Sequence, residues 1–112
     1  MTRLNSPNKY HAKRTWSELC GRWFDSRAEA VRGEELKLLE KAGLIKDLEY
    51  QKRFVLSKDP KVTITIDFTY IDQPMFGGRT VYEDVKGVLT RDFRTKMAWL
   101  KKDFGISVKL IK

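Results

Sequence analysis

Two carboxylates and an ammonium are spaced in this chain so that they can meet. Asp67 lies inside Val62-Thr-Ile-Thr-Ile-Asp-Phe-Thr-Tyr, and Asp84-Val85-Lys86 closes the next strand-like run. Side chains alternate along a strand, so Asp84 and Lys86 point the same way, roughly 6–7 Å apart. In the first run the alternation gives one face to Val62, Ile64, Ile66, Phe68 and Tyr70, and the other to Thr63, Thr65, Asp67 and Thr69. If the two runs pair, the acids and the lysine share one polar patch. Such a patch can hold a divalent cation against a phosphodiester and activate water. Asp84 and Lys86 also fit an ordinary solvated pair at a strand end. Asp67 is harder to explain that way, because aspartate is disfavoured inside a strand.

The elements that must position these residues follow from periodicity and punctuation. Residues 15–24 carry Trp16, Leu19, Trp23 and Phe24 around Cys20-Gly21 and read as a short hairpin. Ser26-Arg27-Ala28-Glu29 matches a capping box, and Ala42-Gly43 is a good stop, giving a helix between them. Its expected apolar stripe is Ala28, Val31, Leu38, Leu39 and Ala42, with Leu36 at the edge. A strand begins near Lys46 and is broken by Ser57-Lys58-Asp59-Pro60. The Thr/Ile run 61–72 is the best strand. Gln73-Pro74-Met75-Phe76-Gly77-Gly78 turns the chain into a strand over 79–86. A second helix over about 91–103 buries Phe93, Met97, Leu100 and Phe104, and Ile106, Val108 and Leu110 alternate as a last strand. The fold class expected is α/β: helix, three strands, helix, strand, around a mixed sheet.

Composition narrows the partners. A chain of 112 residues builds one core. It carries no apolar run long enough to span a membrane, and its opening residues lack the apolar stretch of a secretory signal. One cysteine excludes an internal disulfide and a Cys-based zinc site, so a cytoplasmic setting is expected. The net charge of +8 is uneven. Lys and Arg outnumber acids seven to three in residues 1–32 and eight to two in 86–112, but trail eight to ten between. Basic flanks around an acidic middle suit a polyanion. Residues 1–14 read as a flexible basic arm, with Lys13 and Arg14 at its end. Those two, with Arg91, Arg94 and Lys96 of the second helix, are the candidate DNA contacts. Tyr10, Lys13, Arg14, Trp16, Arg22 and Trp23 mix aromatic and basic side chains that could stack on unpaired bases, or serve as core and rim. His11 is the single histidine, and Gly77-Gly78 lacks the Lys-Ser/Thr of a phosphate loop.

With Glu29 on the first helix, Asp67 on the second core strand and Asp84-x-Lys86 on the third, the chain resembles the PD-(D/E)XK nuclease superfamily. More narrowly, Phe24-Asp25-Ser26…Glu29…Leu38-Leu39…Ala42-Gly43…Ile45…Leu48…Gln51…Asp67-Phe68…Glu83-Asp84-Val85-Lys86-Gly87 looks like a family of small phage-encoded nuclease-like proteins, grouped with Holliday-junction resolvases. Ile66 stands where the motif's proline would be. The resemblance implies a restriction-endonuclease-like core over 15–112. It implies Asp67 and Asp84 as ligands of Mg²⁺ or Mn²⁺, with the Val85 carbonyl as a third and Lys86 beside the attacking water. It also implies phosphodiester cleavage leaving 5′-phosphates, with branched DNA as leading substrate and a homodimer as a fitting assembly. Gln51 would support the site. The helix acid is open between Glu29, which capping alone also explains, and Glu35, which 100° stepping places in the apolar stripe. Glu83 alternates to the other face, as a structural residue. The rival readings are a nucleic-acid-binding protein with a vestigial site, and a nuclease acting on duplex or single strands.

Overall fold

A computed structural model describes residues 13–112, so the expected arm lies, apart from Lys13 and Arg14, outside the described residues. The hairpin β1 (Thr15–Ser17) and β2 (Arg22–Phe24) leads into α1 (Arg27–Lys41). A long antiparallel pair follows, β3 (Ile45–Lys58) and β4 (Lys61–Asp72). A single 3₁₀ turn (Pro74–Phe76) connects to β5 (Arg79–Val85), then α2 (Arg91–Phe104) and β6 (Val108–Ile111). The main sheet has the order β3-β4-β5-β6, antiparallel except for the parallel β5–β6 pair. The architecture is therefore α/β, a mixed four-stranded sheet with two helices, in the element order expected. No helix among the described residues is long and apolar enough to cross a membrane.

The two helices pack on opposite faces. One apolar cluster joins α1 to the sheet through Phe24, Ala30, Leu36, Ile45, Phe68 and Tyr70. The other joins α2 through Leu56, Ile64, Ile66 and Leu100. Val81 and Val85 of β5 belong to the first cluster and Tyr82 to the second, as alternation requires.

Strand β4 breaks that rule. Ile64 and Ile66 pack toward α2, whereas Phe68 and Tyr70 pack toward α1, although all four are two residues apart. The single apolar face expected from Val62 to Tyr70 thus reverses across Asp67. Tyr50 pairs with Phe68 and Lys52 with Ile66, which sets Gln51 opposite Asp67, and Gln51 has φ of 55°. A left-handed residue that is not glycine is uncommon, and here both strands are distorted at one level.

The α1 stripe also differs from expectation. Ser26 caps the helix by accepting from the Glu29 N–H at 3.1 Å, but Ala28, Val31 and Leu38 are exposed. The buried side is Glu29, Ala30, Gly33 and Leu36. Gly33 explains the rotation: a Cβ there would sit 2.7 Å from the Phe24 ring, so the helix backbone lies directly on that ring. Large residues at 31 and 38 could not approach so closely. On α2, Leu100 is fully buried, while Phe104 is half-exposed with its ring 6.0 Å from that of Phe54.

Candidate active site

The β4–β5 ladder ends at Phe68–Glu83, and β5 continues along β6 through Asp84–Leu110 and Val85–Ile111. Beyond Glu83 the strands β4 and β5 are joined by side chains. Asp84 Oδ1 accepts the Asp67 N–H at 2.9 Å, and Asp67 Oδ2 accepts the Val85 N–H at 2.9 Å. Each carboxylate takes the place of a missing carbonyl partner on the other strand. The remaining Asp67 oxygen, Oδ1, accepts from Gln51 Nε2 at 3.2 Å, and the same amide donates to Glu29 Oε2 at 2.9 Å. The distorted Gln51 thereby ties the helix acid to the strand acid. Asp84 Oδ2 is buried without a hydrogen-bond partner, and Lys86 Nζ lies 3.2 Å from it as an ion-pair contact. Lys86 also sits 4.0 Å above the Phe93 ring of α2, a cation–π contact that fixes the ammonium.

Of these groups Glu29, Asp67, Val85 and Lys86 line a cleft of about 470 Å³, with Asp25 and Ser26 among others. Asp84 and Gln51 contact the lining residues without lining it themselves. The cleft lies between the starts of α1 and α2, since Ser26 and Thr90, their N-caps, both line it. Glu29 is almost fully buried, and burial, then the charges of Asp67, Asp25 and Asp84, push its carboxyl up to about 8 against the pull of Arg22. Burial and then Asp84 push Asp67 up to about 6, although the Val85 N–H, Gln51 and Lys86 oppose the rise. Burial also raises Asp84, with Lys86 the main opposing influence. Burial, the largest cause in each case, leaves these carboxyls short of the solvation their charged forms need.

That deficit is the condition a divalent cation would satisfy. Among the described residues no three His, Cys, Asp or Glu side chains are grouped to hold a metal by themselves. A hard cation such as Mg²⁺ keeps several waters and is held by one or two carboxylates with phosphate oxygens. Asp67 and Asp84, the latter with one buried oxygen that accepts no hydrogen bond and faces Lys86, fit that kind of site.

The structure thus gathers Glu29, Gln51, Asp67, Asp84, Val85 and Lys86 into one place. It does not gather Glu35, which is exposed on α1 and pairs with Arg32 at 3.1 Å. The register of α1 set by Gly33 turns Glu35 outward. Glu29 does not close a capping box, because its carboxylate is bound to Gln51. Glu83 is fully buried on the α1 side, where Arg32 Nε and Nη2 donate to it at 2.8 Å each and the Tyr70 hydroxyl donates as well. Burial works against its charge, but the Arg32 and Tyr70 hydrogen bonds prevail and hold it below the usual carboxylate range. Arg91 and Arg94 are exposed at the start of α2, whereas Lys96 is taken by Asp92 at 3.3 Å. Lys13 and Arg14 are exposed, Arg14 lying 5.2 Å over the Trp23 ring. Sequence reasoning missed Asp25 and Arg22 as electrostatic neighbours of Glu29. The place of Asp25 directly before the helix N-cap was the available signal; nothing local marked Arg22, four residues upstream.

The chain belongs to the family described as protein of unknown function (DUF1064), whose model matches residues 7–111. No curated protein and no solved structure matches it.

Proposed function

We propose that the protein is a metal-dependent endodeoxyribonuclease with a restriction-endonuclease-like core. The observation that supports this most is the exchange between Asp67 and Asp84 at the point where β4 and β5 part, with Lys86 against the second carboxylate. Main-chain donors, Gln51 and Lys86 offset only part of the cost of holding these two carboxylates together, and raised carboxyls in a cleft are a common mark of a functional site. The acid–acid-x-lysine order and the helix acid match the superfamily that the sequence resembles.

Asp67 and Asp84 would hold Mg²⁺ or Mn²⁺, with the Val85 carbonyl as a further ligand. When bound, such an ion supplies positive charge for the phosphodiester and acidifies water. The chain's own groups do the rest. Asp67 and Asp84 are fixed by main-chain donors, which holds the two carboxylates in place relative to each other. Lys86, held by Asp84 and Phe93, orients the attacking water and stabilises charge building on phosphorus. Gln51 aligns Asp67 and Glu29. Arg91 and Arg94, exposed in the first turn of α2 after the cleft residue Thr90, would provide contacts for a DNA backbone. Branched DNA is the preferred substrate, and a homodimer would give paired cuts.

The test is cleavage of labelled four-way junction, duplex and single-stranded DNA with Mg²⁺, Mn²⁺ or EDTA, beside Asp84→Ala. Metal-dependent cutting lost in the variant carries the proposal. Tight binding without cutting on any substrate would replace it with a DNA-binding protein that retains a vestigial site.

A further inference from the structure

The β1–β2 hairpin presents two tryptophans to solvent beside the cleft. Trp16 and Trp23 are register partners, 45% and 50% exposed, with ring centroids 5.6 Å apart at 63°. Their strand neighbours point inward and anchor the hairpin. Phe24 is buried under α1, and the buried Ser17 hydroxyl donates to Glu34 Oε2 at 2.7 Å and accepts the Cys20 N–H at 3.0 Å. The tryptophan pair therefore stands on a rigid base and is not packed into the core.

Positive charge lies against one of the two rings. The Arg14 guanidinium lies 5.2 Å over Trp23 and is in no ion pair among the described residues. Arg22 shares the inward face of β2 with Phe24, packs on the Phe24 and Tyr50 rings, and donates from Nε to the Trp23 carbonyl at 3.2 Å, which fixes the strand under the pair. Exposed indoles with an unpaired guanidinium against one of them suit a ligand with flat π faces and an anionic backbone. A protein partner supplies apolar side chains, whereas unpaired nucleotides supply both features at once. Strand β2 ends one residue before Asp25, which lines the cleft, so Trp23 stands about 7 Å of extended chain from the site.

We propose that Trp16 and Trp23 form a stacking platform for unpaired bases, which places an unpaired segment of DNA next to the cleft. As a statement about substrate choice this rests on the nuclease reading. As a binding site it stands apart, because stacking needs neither metal nor chemistry.

The experiment is titration of the full chain with oligothymidylate in EDTA, followed by tryptophan fluorescence and by anisotropy of labelled oligonucleotide. Saturable quenching is expected, with unlabelled oligothymidylate displacing bound probe more effectively than blunt duplex of equal length. Trp16→Leu and Trp23→Leu keep apolar bulk without the indole, and each should weaken binding roughly fivefold to a hundredfold. Trp16→Tyr and Trp23→Tyr should bind close to the parent. Equal affinity across leucine and tyrosine variants would overturn the platform, even if the protein cleaves DNA. Tryptophan-dependent binding without cleavage in Mg²⁺ would uphold the platform and remove the nuclease.

Discussion

Asp67 and Asp84 are each other's structural support: the backbone N–H of Asp67 donates to the Asp84 carboxylate, while the Asp67 carboxylate accepts from Val85, the residue after Asp84. Two groups proposed to bind metal thus also close the gap between β4 and β5. Alanine at either position removes a ligand and opens the split together, so loss of activity alone would be ambiguous. Asp84→Asn separates the two roles. Its amide oxygen can still accept the Asp67 N–H, but the negative charge is gone. The expected result is a protein with an unchanged circular-dichroism spectrum and no detectable metal-dependent cleavage. Cleavage at the parent rate would mean that Asp84 is a strap and not a ligand.

Lys86 gives a cleaner handle on catalysis. Its ammonium touches Asp84 and the Phe93 ring, yet the side chain is partly exposed and closes no core cavity. Lys86→Met keeps most of the apolar stem beside Phe93 but removes the ammonium and its cation–π contact. Its melting temperature should fall by several degrees, because buried Asp84 Oδ2 loses its ion-pair partner, while the protein stays folded. The cleavage rate should drop about 10²- to 10³-fold, as for loss of one stabilising charge in a transition state. Single-turnover rates at saturating metal check it. An unchanged rate would remove Lys86 from the mechanism.

The element order, the Ser26 cap and the convergence of Asp67, Asp84 and Lys86 were legible in the sequence, because they depend on local rules and strand alternation. Ser26 and Thr90 each accept the N–H three residues on, and Gly43 and Gly105 take the left-handed turn after the helices. Val85 and Gln51, and the choice of Glu29 over Glu35, came only with the resemblance. What local rules could not give is which side a helix or strand presents. The α1 stripe was misplaced because Gly33, and not the larger Val31 and Leu38, meets Phe24, and this contact exists only once β2 is folded against the helix. The reversal of β4 at Asp67 was hidden because it depends on the left-handed Gln51 on the neighbouring strand.

The Gly33 contact yields a stability prediction in which two effects oppose each other. Glycine to alanine in a helix interior normally gains about 1 kcal/mol. Here the new Cβ would lie 2.7 and 3.0 Å from Phe24 ring atoms and 3.3 Å from Phe68. Overpacking of that kind costs about 1–3 kcal/mol. Gly33→Ala should therefore be neutral to destabilising by about 2 kcal/mol, measured by urea unfolding. A clear gain in stability would show that the ring moves aside freely.

Glu83 sits one residue from a proposed ligand but belongs to the opposite face, and its loss should read as a folding defect. Its carboxylate is fully buried and depends on Arg32 and Tyr70. Arg32→Ala leaves that charge unpaired, a change that costs about 3–5 kcal/mol. The double change Arg32→Met with Glu83→Leu should recover much of the loss. Recovery of stability with cleavage intact would confine Glu83 to structure, whereas recovery without cleavage would assign it a part in the site.

The raised carboxyls make the metal-free protein sensitive to alkaline pH. Glu29 rises from an ordinary 4.5 to about 8, and Asp67 from 3.8 to about 6. A carboxyl whose folded value is raised keeps its proton in the folded chain after the unfolded chain has lost it. Stability is then highest below the ordinary value and declines as pH rises through the folded one. In EDTA the melting temperature should fall between pH 5 and pH 8.5, Asp67 shaping the lower part of the decline and Glu29 the upper. Glu29→Gln should flatten the profile between pH 6.5 and pH 8.5 and raise the melting point at its alkaline end. Added Mg²⁺ should do the same without mutation, because a cation bound by the carboxylates favours their ionised form. A parent profile already flat across this range, or one that Glu29→Gln leaves unaltered, would mean that the cleft solvates its acids and does not strain them.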